Sequence, residues 1–463
     1  NQRIKSGENT AIKIKKDGTW TLPYKKQDKD INNPFYAQFS QVSLINVLRF
    51  VNQHCNFIND FTHIKSHYSK SKAHEDEIFA CIVANATSHG ITKMGEISDM
   101  SYKKLLGTSK NFIRLENLRT ANDILANGIS GLPMFKHWNL MDNLLFSSLD
   151  GKKRLTKHKN IIARYSSKYF GQYRGVVSYS MIANNACLNT KVIGANEHES
   201  HHYFDMVYNN TSDVNPEWHC GDSHSINHVN FALLHLISQN FAPHLKKVSQ
   251  KAKHIYCFGD PGQYKEYLIV PEGRINESLI KEEWETLQYI FASLLMKDTK
   301  QSTVVKKLSA YARRNKTQRA LWEFDKILKS LHTARFIDEP LFRQSIRTAL
   351  NRGEEFHQLT GAIAYVGGNK FRGTTELELQ VWNECIRLIA NCIIYYNTLI
   401  LSKIYEVQEK LDNLHVLEFI KRLSPIAWRH INLSGRYEFI NSFVDINLDE
   451  MIANLDFAIK VAA

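Results

Sequence analysis

Apolar residues recur at helical spacing over most of the first third of the chain. Val42, Leu44, Ile45, Val47 and Leu48, then Phe79, Ile82 and Val83, then Leu115, Leu118 and Leu125 predict an all-α region over 40–140. Ahead of it, residues 1–34 are polar, with Lys13, Lys15, Lys16, Lys25 and Lys26 around the alternating stretch 20–23. This predicts a short hairpin or arm whose lysines guard an exposed edge. The period changes at 143–150, where a short apolar run ends in Asp150 and is followed by Gly151. Two β-branched runs at 175–182 and 188–195 predict an antiparallel meander. A helix near 198–208 and a short strand lead to Asp222; 229–237 returns to helical spacing, and 240–244 reads as one more strand. Residues 246–337 are helical and basic, with Lys246, Lys247, Lys251, Lys253, Lys306, Lys307, Arg313, Arg314, Lys316 and Arg319. A helix over 341–365, a run of helices over 376–409 and a turn-rich piece at 423–437 complete the pattern.

A strand carrying Asp, two strands, a helix, a strand ending in a second Asp, and another helix form the order of an α/β RNase H-like (retroviral-integrase-like) core. The expected division is a mainly helical region with a basic arm over 1–140, the first part of the core over 141–245 and a basic helical insertion over 246–337. A helix completing the core over 338–375 and a C-terminal helical region over 376–463 follow. The length allows roughly two to four domains. With 59 Lys+Arg against 46 Asp+Glu the net charge is +13, which favours a polyanionic partner, nucleic acid first. The seven cysteines are scattered without a C-x-x-C pair, as reduced thiols are. The N-terminus carries no signal-peptide pattern, and no run approaches the roughly 20 uninterrupted apolar residues of a membrane span. A cytoplasmic protein is expected. Because the chain opens at Asn1 without Met, a fragment, a processed form or a domain of something longer is expected too.

Two Asp from strand ends and a Glu from a later helix can hold two divalent cations for in-line phosphoryl transfer, since hard cations take carboxylate oxygens. Spacing alone does not separate Glu354 from Glu355, and Asp222 and Asn227 can equally be caps of the helix that follows them. His198-Glu-Ser-His-His202 matches H-E-x-x-H; on a helix, His198 and His202 would share a face as zinc ligands with Glu199 as base. The pattern is short, and no third ligand is marked out downstream. A packed or solvated histidine is the more common meaning. Arg347 stands two helical turns before Glu354 and shares its face, which suits phosphate neutralisation; Arg352 lies off that face.

The segments 194–201 (GANEHESH), 208–213 (YNNTSD), 229–234 (VNFALL), 350–354 (LNRGE), 388–397 (LIANCIIYYN) and 430–437 (HINLSGRY) closely resemble the C-terminal transposase region of replicative class II bacterial transposons, the Tn3 family. The likeness runs over nearly the whole chain. It implies that Asp150, Asp222 and Glu354 form a DDE triad of catalytic metal ligands using Mg²⁺, with Mn²⁺ able to substitute. It also implies 3′-end cleavage and strand transfer on transposon terminal inverted repeats and target DNA, by a homodimer. Lys152, Lys153, His201, His224, Arg347 and Arg352 are the expected DNA contacts. Family members are about twice this length. Around the triad the chain departs from the usual pattern: Asp150 is followed by Gly-Lys-Lys-Arg154, and Thr360-Gly361 stands where Arg is usual. Ser225 stands where a glycine is usual, in a turn expected to want φ > 0. A decayed or domesticated transposase portion that only binds DNA is the alternative reading, and a general nuclease of the same fold a third.

Overall fold

The computed structural model describes residues 1–463 except 24–30, 69, 71, 142, 311–314, 441–445, 454 and 458–463. The roles predicted for Lys25, Lys26, Arg313 and Arg314 therefore lie outside the described residues. Lys13–Ile14 and Trp20–Thr21 pair antiparallel as a small hairpin with Lys13, Lys15 and Lys16 exposed. The apolar stripes that follow sink into helices α1 (Leu44–Cys55), α2 (Glu75–Ala86), α3 (Gly90–Ile97), α4 (Tyr102–Phe112) and α5 (Leu115–Gly131). Ser43 and Ser101 start α1 and α4 by accepting the N–H groups of Asn46 and Lys104 on their side-chain oxygens.

The sheet holds seven strands: β1 (Phe146–Thr156), β2 (Arg164–Tyr165), β3 (Arg174–Ala183), β4 (Ala186–Gly194), β5 (Trp218–Gly221), β6 (Asn240–Phe241) and β7 (Lys370–Phe371). Their order is β2–β3–β1–β5–β6, with β4 also on β3 and β7 also on β1. The meander β1–β3–β4 is antiparallel, whereas β5, β6 and β7 join in parallel. Strand β3 is buried almost throughout because helices cover both of its faces. Helix α6 (Tyr203–Tyr208) lies against β3 and β4; α7 (Asn230–Leu236) follows β5.

Between β6 and α11 (Pro340–Tyr365) come three longer helices, α8 (Glu277–Met296), α9 (Gln301–Ser309) and α10 (Lys316–Asp338). Helix α10 is tied to the sheet side: Asp325 accepts the Ala232 N–H at 3.1 Å and His332 Nε2 meets the Pro243 carbonyl at 2.9 Å.

Residues 376–409, expected to be a run of helices, form one. Helix α12 (Glu376–Lys410) has 35 residues and is about 52 Å long at 1.5 Å per residue. A capping box starts it, Thr375 and Glu378 each bonding the other's backbone N–H. It is long and apolar enough to cross a membrane, yet its apolar window is wholly buried in the protein. It packs on α1, α2, α5 and β4 and so joins the helical region to the sheet.

Candidate active site

Strand β1 does not end at Asp150 as the pattern predicted; it runs on to Thr156. What ends there is its parallel partner. Leu149 pairs with Gly221, the last residue of β5, and β7 takes up pairing only at Leu155. Asp150 thus faces the mouth left beyond β5, and Asp222, next in the chain after Gly221, stands across that mouth. Such a gap at the carboxyl end of a parallel strand is where α/β sheets place their chemistry.

Each aspartate is held by a backbone donor. The Gly151 N–H reaches Asp150 Oδ1 at 2.8 Å, and the His224 N–H reaches Asp222 Oδ1 at 2.8 Å, an Asx-type turn. Asp222 does not cap α7. Asn227 bonds there instead, its Oδ1 accepting the Val229 and Asn230 N–H groups where the helix starts, while the N-cap residue itself is Val229. Nor does Ser225 adopt φ > 0; its hydroxyl donates to the Asp222 carbonyl at 2.6 Å and closes the turn that glycine would otherwise make.

Helix α11 lies on β1, β3 and β5. A Cβ on Gly353 would come 2.7 Å from Ser148 Oγ, so glycine lets the helix press onto β1 beside the mouth. The next residue, Glu354, is exposed and within electrostatic reach of Asp150. Glu355 points elsewhere and is buried, accepting the Ser424 hydroxyl at 2.7 Å. The two glutamates thus lie on different sides of α11, Glu354 towards Asp150 and Glu355 towards Ser424.

Burial pushes the Asp150 carboxyl up to about 7; Glu199, Asp222 and Glu354 push the same way, and the Gly151 N–H opposes them. Carboxylates gathered this closely are hard-oxygen donors of the kind Mg²⁺ and Mn²⁺ take. Among the described residues, no three Asp, Glu, His or Cys side chains yet converge tightly enough to enclose an ion. The donor set fits a divalent cation in kind.

His357, which sequence reasoning passed over, lies behind Asp150. Its Nδ1 is 3.6 Å from Asp150 Oδ2 and its Nε2 3.0 Å from Ser180 Oγ. Burial, with Arg154 and Lys152 adding, pulls it down to about 3, so the ring is neutral near pH 7. At 3.6 Å the neutral ring makes no hydrogen bond to the carboxylate; anchored on Ser180, it packs behind it and limits where it can turn. The available signal was its position three residues after Glu354, on the neighbouring helical surface.

The expected DNA contacts separate. His224 is exposed beside Asp222, and His201 is half-buried, pulled down to about 4 by burial and by His198. Arg347, Lys246, Lys247 and Arg343 line a cleft of about 340 Å³ with His244, whose N–H bonds the Gly221 carbonyl at 2.8 Å; this basic cleft adjoins Asp222. Lys152 flanks Asp150, but Lys153 is paired with Glu199 at 2.9 Å. Arg352 is a correction: it is buried, donating to Asn184 Oδ1 at 2.7 Å and to the Trp138 carbonyl at 2.8 Å, and so braces α11 instead of facing DNA. The H-E-x-x-H match also fails structurally. Glu199–His201 is a 3₁₀ turn, α6 begins only at Tyr203, and His202 is spent on Glu197 at 2.6 Å.

The family model of the Tn3 transposase DDE domain matches residues 46–437. The transposase for transposon Tn1546 of Enterococcus faecium is 24% identical over 450 residues, 97% of this chain and 44% of that protein. The transposase for transposon Tn4556 of Streptomyces fradiae is 27% identical over 407 residues, covering 87% of this chain and 45% of the relative. The transposase for transposon gamma-delta of Escherichia coli K12 is 23% identical over 412 residues, 88% and 41% of the two chains. The chain thus spans under half the length of these curated relatives. An RNase H-like fold and a divalent-metal requirement are general to DDE domains, and the mixed sheet with its carboxylate-lined mouth agrees with both. With the match running from α1 to beyond α12, this chain belongs to the Tn3 transposase DDE domain family.

Proposed function

We propose that this chain is the catalytic part of a replicative transposase, with Asp150, Asp222 and Glu354 as its metal ligands. The observation that carries the reading is the position of Asp150 and Asp222, each next in the chain after the paired Leu149 and Gly221, at the mouth where β5 stops, with Glu354 brought to it by α11. In the first step a water oxygen bonds to the phosphorus at the transposon end while the P–O3′ bond breaks; the water gives up a proton and the leaving 3′ oxygen gains one. In the second, that 3′-OH loses its proton as its oxygen bonds to a target phosphorus, the target's P–O3′ bond breaks, and the leaving 3′ oxygen of the target takes up a proton. A bound pair of Mg²⁺ ions, or Mn²⁺ in their place, would supply charge stabilisation for the attacking and leaving oxygens. The protein's own part is to hold the three carboxylates. Gly151 and His224 N–H groups set the two aspartates, and His224, Lys152 and, from the adjoining basic cleft, Arg347 stand where phosphates would pass. Terminal inverted repeats and target DNA in the bacterial cytoplasm are the partners of this reading. Because two ends must be joined, a homodimer is its working form.

The test is transfer of a pre-nicked transposon-end duplex into plasmid, with and without Mg²⁺ or Mn²⁺. Joined product that requires the cation is expected. DNA binding without product, unchanged when the N-terminal portion of a longer relative is supplied, would instead mark a DNA-binding remnant; nicked plasmid without joining would mark a nuclease. His357→Ala is expected to reduce strand transfer about 10- to 100-fold, the usual cost of losing a carboxylate's orienting partner, while DNA affinity in gel-shift titration stays unchanged. Recovery of part of the rate in His357→Asn, which keeps a polar group beside Ser180 and behind Asp150, would separate orientation from packing.

A further inference from the structure

The sheet end beyond Thr156 carries a basic and aromatic surface that the carboxylates do not use. From Gly151 to Asn196 the chain holds nine Lys and Arg and no Asp or Glu, against 59 and 46 in the whole chain. Strand pairing gathers part of this excess on one face. Gly175 of β3 pairs with Leu155 and with Arg164, and Leu155 pairs on its other side with Lys370 of β7. Residues paired across a sheet point to the same side, so these four share a face with Lys153, and Asp150 lies on the other. Thr156 is six residues beyond Asp150, about 20 Å at roughly 3.3 Å per residue. The surface is separate from the mouth.

Two tyrosines lie over that face. The one-turn helix Ser167–Phe170 is seated by Phe170: a Cβ on Gly175 would overlap its buried ring, so the glycine makes the room. Its neighbour Tyr169 is 50% exposed, and Tyr173, whose N–H bonds the Phe170 carbonyl at 3.0 Å, is 54% exposed. Lysines border both rings. Lys168 Nζ is 4.9 Å and Lys153 Nζ 5.3 Å from the Tyr169 ring centre, and Lys370 Nζ is 4.2 Å from that of Tyr173. Arg164, Lys168 and Lys370 form no ion pair with any described carboxylate, so their charge is open to an outside anion.

Cations at a sheet end attract a phosphate backbone and carry no base preference. The rings narrow the ligand further. Bases inside a duplex have both faces covered by their neighbours, whereas an unpaired base offers a face to an exposed ring, and every base has one. We infer that Tyr169 and Tyr173, with Arg164, Lys168 and Lys370 around them, bind an unpaired DNA strand irrespective of sequence, on the side of the sheet away from the carboxylates. The inference stands apart from the DDE reading: it holds for a cutting enzyme and for a DNA-binding remnant alike. The competing account is a solvated basic face that attracts any polyanion by charge.

Fluorescence anisotropy of the whole chain with labelled oligothymidylate of about 16 nucleotides, with an abasic oligomer of the same length and with a duplex, decides between them. The parent is expected to hold oligothymidylate at least about tenfold more tightly than the abasic strand, which keeps the charges and lacks the bases. Tyr169→Ala with Tyr173→Ala should lose that preference, oligothymidylate weakening at least about tenfold and the duplex less than about twofold, since the rings act only on unpaired bases. Arg164→Gln with Lys168→Gln should weaken all three ligands and flatten their salt dependence. Tyr169→Leu with Tyr173→Leu serves if the Ala variant unfolds early, and should lose the same preference. A parent without the preference, or tyrosine variants that keep it, overturns the inference and leaves the basic face as the account. The DDE reading stands under either outcome, because Asp150 lies on the other face.

Discussion

Asp222→Asn is expected to reduce strand transfer at least about a thousandfold, on the order of 4 kcal/mol of transition-state stabilisation. The substitution is chosen for what it preserves. Asn keeps an oxygen to accept the His224 N–H, and the Asp222 backbone carbonyl still accepts the Ser225 hydroxyl and N–H, so the turn after β5 survives. Only the negative charge and one oxygen donor go. Because a neutral amide is a poor ligand for a hard cation, the loss falls on the charged transition state and not on DNA affinity. Gel-shift affinity for the end duplex should stay within about twofold, since phosphate contacts supply most of it. Strand transfer within tenfold of the parent would remove Asp222 from the triad.

The same residue shows what the sequence could reveal. Asp222 follows a short strand and precedes Asx-type turn chemistry, all local features, and local features set period and turn signals. Asp150 was placed at a strand end because Gly151 follows it, but the relevant end is that of β5, over sixty residues away in the chain; strand partnering is non-local, and no periodicity reports it. Arg352 was a reasonable surface arginine until Asn184 and the Trp138 carbonyl, both distant in sequence, closed around it. Ser225 was expected to strain its turn, and instead its hydroxyl does the bonding. Helix α12 was expected as a run of helices; within it Asn383, Glu384, Arg387 and Asn391 interrupt the apolar stripe. Those polar residues are buried with partners on α5, β3 and β4, which a hydropathy pattern has no means of supplying.

That interruption gives the largest expected effect on stability. Glu384 and Arg387 lie at 0% and 2% exposure in the middle of α12. Glu384 accepts Asn122 Nδ2 of α5 at 3.0 Å and the Thr190 hydroxyl of β4 at 2.9 Å, and Arg387 Nη1 is 3.2 Å from its Oε2. Arg387 also donates to the Cys187 and Leu188 carbonyls of β4 and lies 3.3 Å from Asp123 Oδ1 of α5. One buried pair therefore ties the helical region to the sheet. Glu384→Ala leaves the guanidinium with the weaker, longer contact to Asp123 and strips Asn122 and Thr190 of an acceptor, which should cost about 3–5 kcal/mol in urea unfolding. Replacing both, as Glu384→Leu with Arg387→Met, removes the uncompensated charge and should recover a large part of that loss, because burying an ion pair is itself expensive. A loss under about 1 kcal/mol for Glu384→Ala, or a double variant as unstable as the single one, would mean that α12 is held by its apolar contacts and that the pair is incidental. If the pair is the tie, the two regions should instead come apart together in the single variant, with tryptophan fluorescence and helical circular dichroism lost at one shared, lowered midpoint.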